Sequence, residues 1–148
     1  ASAITQPEQS HLLVVLINNY RTKEGWKTPL VKSFDTSPEN LGAKEFFVFN
    51  ETPFPIEIES PQGSKFIMQT IKPYQSLQLK PNYNAKGRTV VKAKLIAPNG
   101  QKQQFFYTSL KLDPDQRGYL MAYFDPRRKS SNPAGMIQFK DTIQPVVR

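Results

Sequence analysis

A chain of 148 residues is expected to form one domain, and it can bury a sizeable apolar core without covalent staples. Cysteine is absent, which excludes disulfides, thiolate metal sites, iron–sulfur clusters and cysteine nucleophiles. The formal net charge is +8, and thirteen prolines beside ten Phe, six Tyr and one Trp fit short strands and turns better than long helices.

The opening Ala1-Ser2-Ala3 fits the start of a mature exported chain, or a trimmed boundary, and residues 1–10 read as a tail or an edge strand. Over 8–20, Pro7 would suit the first turn of a helix. The centre, Leu12-Leu13-Val14-Val15-Leu16-Ile17, is instead apolar all round and rich in β-branched residues, so a strand is predicted there. It is the longest apolar run, well short of the ~18–20 residues that span a bilayer, and no membrane span is expected. As a strand it belongs to its own sheet or completes a neighbour's. Ser37-Pro38-Glu39-Asn40-Leu41 reads as a single helical turn.

Phe46-Phe47-Val48-Phe49 is apolar on both faces and predicts a central strand. Phe54-Pro55-Ile56-Glu57-Ile58-Glu59 alternates, with Phe54, Ile56 and Ile58 inward and the glutamates outward; the prolines place it at an edge or at the strand's start. Ser60-Pro61-Gln62-Gly63 and Ala97-Pro98-Asn99-Gly100 predict tight hairpin links. Leu77 and Leu79 form an inward pair, and Val91, Ala93, Leu95 and Ala97 an inward set with Lys92 and Lys94 outward. The stretch from Asn82 to Gly87 is a longer loop. Gln104-Phe105-Phe106-Tyr107 and Tyr119-Leu120-Met121-Ala122-Tyr123-Phe124 again read as central strands, and Ile137 with Phe139 as an inward pair. Asp113-Pro114-Asp115-Gln116 and Asp125-Pro126-Arg127-Arg128 are breaks, and 143–148 is a tail or edge strand. The sum is an all-β domain over 1–148, with about eight to ten strands in a two-sheet antiparallel sandwich of immunoglobulin-like or related type. A closed β-barrel is the alternative.

Charge is uneven along the chain. From 60 to 112 there is no acidic residue, while Lys65, Lys72, Lys80, Lys86, Arg88, Lys92, Lys94, Lys102 and Lys111 fall there. If these hairpins share a sheet, one surface attracts polyanions such as a cell-wall polymer; otherwise the lysines keep the protein soluble and protect strand edges. Lysine predominates over arginine, which argues against bidentate phosphate recognition. Tyr74 and Tyr83 near Lys72, Lys80 and Lys86 are the one hint of base stacking, and no nucleic-acid-binding motif accompanies them. Nucleic acid is therefore not an expected partner.

No catalytic, cofactor-binding or metal-binding residues are expected. His11 is the single histidine, so zinc and blue-copper ligand sets are lacking. Glu57 and Glu59 would sit about 6–7 Å apart on one strand face, a spacing seen in glycosidases. Alternating with buried isoleucines, they read instead as solvated carboxylates pairing with lysines across the ladder. Asp113, Asp115 and Asp125 are turn residues rather than a calcium loop, and no phosphate-binding or nucleophile-elbow motif occurs. The triplet Asn50-Glu51-Thr52 fits a glycosylation sequon that chance alone supplies.

The section from Phe46 to Asp141 resembles small exported bacterial β-sandwich proteins without assigned activity. The resemblance runs through Phe47-Val48-Phe49-Asn50-Glu51-Thr52 into Phe54-Pro55-Ile56-Glu57-Ile58, then Ile71-Lys72-Pro73. It continues with Arg117-Gly118-Tyr119-Leu120-Met121-Ala122-Tyr123-Phe124 and Ile137-Gln138-Phe139-Lys140-Asp141. It implies a fold and export to the periplasm, envelope or exterior, and carries no catalytic residue. Within it Asn50 is expected to cap the turn after its strand, and Arg117 to pair with an acidic neighbour such as Asp125. The function expected is a non-enzymatic structural or interaction module working by surface contact with a protein partner or a second copy. Polyanion binding through the basic hairpins is the alternative.

Overall fold

The computed structural model describes residues 12–19, 23, 25–128 and 132–143. His11 and the two expected tails, apart from Ile143, lie outside them. The chain divides into two compact units, 1–42 and 43–148. The first holds an antiparallel pair, β1 (Leu12–Asn19) and β2 (Gly25–Asp35), in a sheet of its own. Leu12 to Ile17 is thus a strand, paired residue by residue with 30–35. After β2 the chain turns once: the Asn40 and Leu41 amides both donate to the Ser37 carbonyl, and Asp35 Oδ1 accepts from the Ser37 amide at 2.9 Å.

The second unit is a two-sheet sandwich. Its strands are β3 (Phe46–Asn50), β4 (Ile56–Gln62), β5 (Lys65–Ile71), β6 (Ser76–Leu79), β7 (Arg88–Ile96), β8 (Lys102–Lys111), β9 (Gln116–Phe124) and β10 (Ala134–Thr142). One sheet has the order β10-β9-β3-β6 and the other β5-β4-β7-β8; neither closes into a barrel. The sandwich expected over the whole chain therefore occupies 46–142. All of its ladders are antiparallel except β3 with β9, which run parallel.

The two-residue rhythm builds the core. Phe46, Val48, Leu79, Leu120 and Ala122 from one sheet meet Ile56, Ile58, Ile71, Val91, Ala93 and Leu95 from the other. Burying each of the larger side chains is worth about 1.5–3 kcal/mol. β3 and β9 are the central strands of their sheet, as their two-faced apolar character predicts, and Phe49 and Tyr119 are buried although they face away from this core. β8 corrects the same expectation. It is an edge strand, and Tyr107 is 60% exposed. In β10 the inward residues are Ala134 and Met136, while Ile137 and Phe139 are exposed on the other face, where Phe139 stacks on Tyr119 at 4.6 Å.

Turn chemistry fixes the hairpins. β4 runs through Pro61 to Gln62, so its turn to β5 is Gly63-Ser64 rather than the expected Ser60–Gly63. Gly63 has φ +63°, a conformation that costs glycine little. Pro61 sits where the ladder to β7 has ended, so its missing donor costs nothing, and its carbonyl accepts from the Asn82 amide at 2.8 Å. At Ala97–Gly100 the expected link forms, with Gly100 at φ +81° donating to the Ala97 carbonyl.

Two buried side chains tie the crossings between sheets. Asn50 Nδ2 donates to the carbonyls of Phe54, Ile71 and Lys72 at 2.8, 3.1 and 3.2 Å, and its Oδ1 accepts from the Thr52 amide at 3.0 Å. Thr52 Oγ1 lies 2.8 Å from both Asn50 Oδ1 and Phe54 O. Both residues are fully buried, so the sequon's amide is occupied in the folded chain. Arg117 pairs not with Asp125 but with Asp141, Nε to Oδ1 at 2.8 Å, because the β9–β10 register sets those two residues opposite each other. Asp125 engages Arg127, and hydrogen bonds from Arg127 hold its carboxyl below the usual range.

Candidate functional site

The sheet β5-β4-β7-β8 gathers most of the basic run, and its outward face is the surface on which function is expected to be written. On β4 the residues alternating with Ile56 and Ile58 are Glu57 and Glu59, and the register places them opposite Lys94 and Lys92 of β7. Lys92 Nζ is 3.1 Å from Glu59 Oε1, and Lys94 lies 3.7 Å from Glu59 and 3.9 Å from Glu57. From β8, two strands away, Lys102 reaches Glu57 Oε2 at 2.6 Å. The expected cross-strand pairs are therefore present, but Glu57 is not a solvated carboxylate. It is 6% exposed, because lysine stems cover it from two strands.

This network changes the meaning of the basic run. Lys92, Lys94 and Lys102 are matched by the two glutamates just outside the acid-free interval, and Lys80 pairs with Glu45 at 2.9 Å. Lys65, Lys72, Lys86, Arg88 and Lys111 form no ion pair among the described residues. They do not gather in one place. Lys65 begins β5 and Lys72 follows its end. Arg88 and Lys111 face each other across the β7–β8 ladder, with Lys86 in the preceding loop. The nine positions are thus not one continuous positive field.

Around this ion-paired network stand exposed apolar side chains that the sequence reading did not single out. On β5, Phe66 and Met68 are opposite Pro61 and Glu59 and share the outward face; they are 52% and 60% exposed. Lys92 Nζ lies 5.0 Å from the centre of the Phe66 ring. Tyr107, opposite Lys92 on β8, flanks the network on the other side. The signal was in the sequence: Phe66-Ile67-Met68 is an apolar triplet, and on an edge strand one of its two faces is bound to be open.

Tyr83 is committed elsewhere. Its hydroxyl donates to the Lys44 carbonyl at 2.7 Å, the Lys44 ammonium sits 4.0 Å from its ring centre, and burial pushes its phenol well above the ordinary value. Of the pair considered for base stacking only Tyr74 is exposed. Among the described residues no group of three or more His, Asp or Glu side chains gathers in metal-binding distance, and no helix is long and apolar enough to cross a membrane. Compared with known proteins, the chain matches no family model, no curated protein and no solved structure.

Proposed function

We propose that this chain is a non-enzymatic, exported envelope or extracellular module that acts by surface contact with another protein. The observation that carries the reading is the outward face of the β5-β4-β7-β8 sheet, where Phe66, Met68 and Tyr107 stand exposed around two carboxylates and three ammoniums that are paired with one another. Exposed aromatic and methionine side chains around a pre-paired polar cluster resemble the make-up of protein interfaces, where unpaired charge is depleted at the centre. Export rests on the sequence resemblance.

The test is paired capture from an envelope extract by the immobilised chain and by its Tyr107→Ser and Phe66→Ser variants. A protein held by the unaltered chain and lost with either substitution supports the reading; identical capture by all three overturns it.

A second reading, capture of an anionic polymer, is favoured by one observation. Arg88 and Lys111 are directly opposed like charges, an arrangement that costs stability unless an anion bridges it. It would use one end of the sheet rather than the whole basic run.

A further inference from the structure

We propose that the edge of β5, which pairs with no further strand among the described residues, accepts an extended acidic segment of a partner protein as an added strand. This rests on the reading of the chain as an interaction module and names the partner's chemistry.

Four strands form the edges of the sandwich, and three of them carry devices that discourage pairing. β6 is four residues long. β8 is bulged where its register with β7 slips opposite Ala93 and Lys94. β10 sets Lys140 beside Asp141. β5 has no such device along its length. Its seven residues pair with β4 without a register slip and contain no proline, and Phe66, Ile67 and Met68 are consecutive and exposed. An unblunted apolar edge is a template for a further strand.

The backbone parity of that edge follows from β4. The carbonyls of Pro55 and Pro61 accept from Ile96 and Asn82 on the β7 side, so the odd-numbered residues of β4 turn their peptide groups away from β5. In an antiparallel ladder their partners on β5 likewise turn theirs away from β4. Phe66, Met68 and Thr70, opposite Pro61, Glu59 and Glu57, therefore present their N–H and C=O groups to the open side.

Charge selects the occupant. No acidic residue lies on β5 or in the turn before it, and Lys65 and Lys72 bracket it without ion-pair partners among the described residues. The two are about 23 Å apart at the rise of an extended strand. A second copy's β5 would bring two more lysines to an already cationic molecule. A segment with acidic residues at its ends and apolar ones between would satisfy the backbone, cover Phe66 and Met68, and neutralise both lysines.

The experiment uses the full chain and two short blocked peptides of alternating valine and threonine, one ended by glutamates and one by lysines. Backbone amide shifts and fluorescence anisotropy are recorded for each. Shifts confined to 65–71 and its β4 neighbours are expected with the glutamate-ended peptide, and binding about tenfold or more weaker with the lysine-ended one. Met68→Pro removes an outward donor without touching the β4 ladder and should abolish binding while melting stays nearly unchanged. The surface double variant Lys65→Glu/Lys72→Glu should reverse the peptide preference.

Equal binding of the two peptides, shifts mapping away from β5, or an unreversed preference overturns the proposal. So does concentration-dependent dimerisation lost in Met68→Pro, which would assign the edge to a second copy. The interaction-module reading is judged separately by Tyr107→Ser, a β8 substitution that leaves β5 intact.

Discussion

Asn50 engages three backbone carbonyls, the Thr52 amide and the Thr52 hydroxyl, and the fold hangs the crossing between its two sheets on that one amide. Asn50→Ala would leave three carbonyls and the Thr52 amide without their partner, and about 2–4 kcal/mol of stability should be lost in chemical denaturation. Asn50→Asp should cost more, because a carboxylate cannot donate to those carbonyls and would bury a charge; a midpoint unmoved by either change would refute the role. The turn-capping part of this arrangement is legible in the sequence, since Asn50 and Thr52 are neighbours. Its reach to the Ile71 and Lys72 carbonyls is not, because only the folded sandwich brings them close. Arg117 teaches the same lesson: Asp113, Asp115 and Asp125 all lie closer to it in sequence, yet strand register supplies Asp141. Tyr83 carries a pH dependence. Its folded-state pKa is raised above the ordinary 10.0 by burial, so above pH 10 the unfolded chain loses the phenolic proton first and stability falls. Tyr83→Phe should flatten that alkaline slope in pH-dependent melting, at a cost of about 1 kcal/mol at neutral pH for the lost bond to Lys44.

At the level of strands, alternation reads well where one face is buried. β4 and β7 show it, with Ile56, Ile58, Val91, Ala93 and Leu95 inward as their spacing predicts. It reads poorly where sheet order decides. β3, β8 and β9 all look two-faced, yet β3 and β9 lie inside their sheet and β8 lies at an edge, a difference that no local pattern encodes. The inward pair expected at Ile137 and Phe139 fails for a related reason: register against β9 puts Ala134 and Met136 on the core side and turns the larger residues outward. The parallel pairing of β3 with β9 also has a local requirement. Gly118 sits opposite Phe46, and a Cβ there would run into the Phe46 ring. Gly118→Ala should therefore destabilise by about 1–3 kcal/mol, the range of overpacked cores; a melting temperature equal to that of the unaltered chain would show that the ring yields freely.

Over the whole molecule, the net charge of +8 is a poor guide to the field that a partner meets. A window along the sequence finds no acid from 60 to 112, but sheets are assembled across windows, and Glu57 and Glu59 return to the centre of the basic strands through β4. Retention on heparin should accordingly be weak, with elution below physiological salt, roughly 0.15 M. Glu57→Gln/Glu59→Gln should shift elution to higher salt by unmasking Lys92, Lys94 and Lys102, and equal elution of the two proteins would contradict the compensation. The pairing of β3 with β9 has a further consequence, for the order of events as the chain is made. Synthesis runs from the amino end, so Phe46 to Phe49 leaves the ribosome long before Gly118 to Met121, the partners that complete its sheet. The nascent protein can pair this aromatic strand with β6 on one side, but must carry its other edge open until nearly all of the sandwich has been translated, which makes this the stage at which a holding chaperone would matter most.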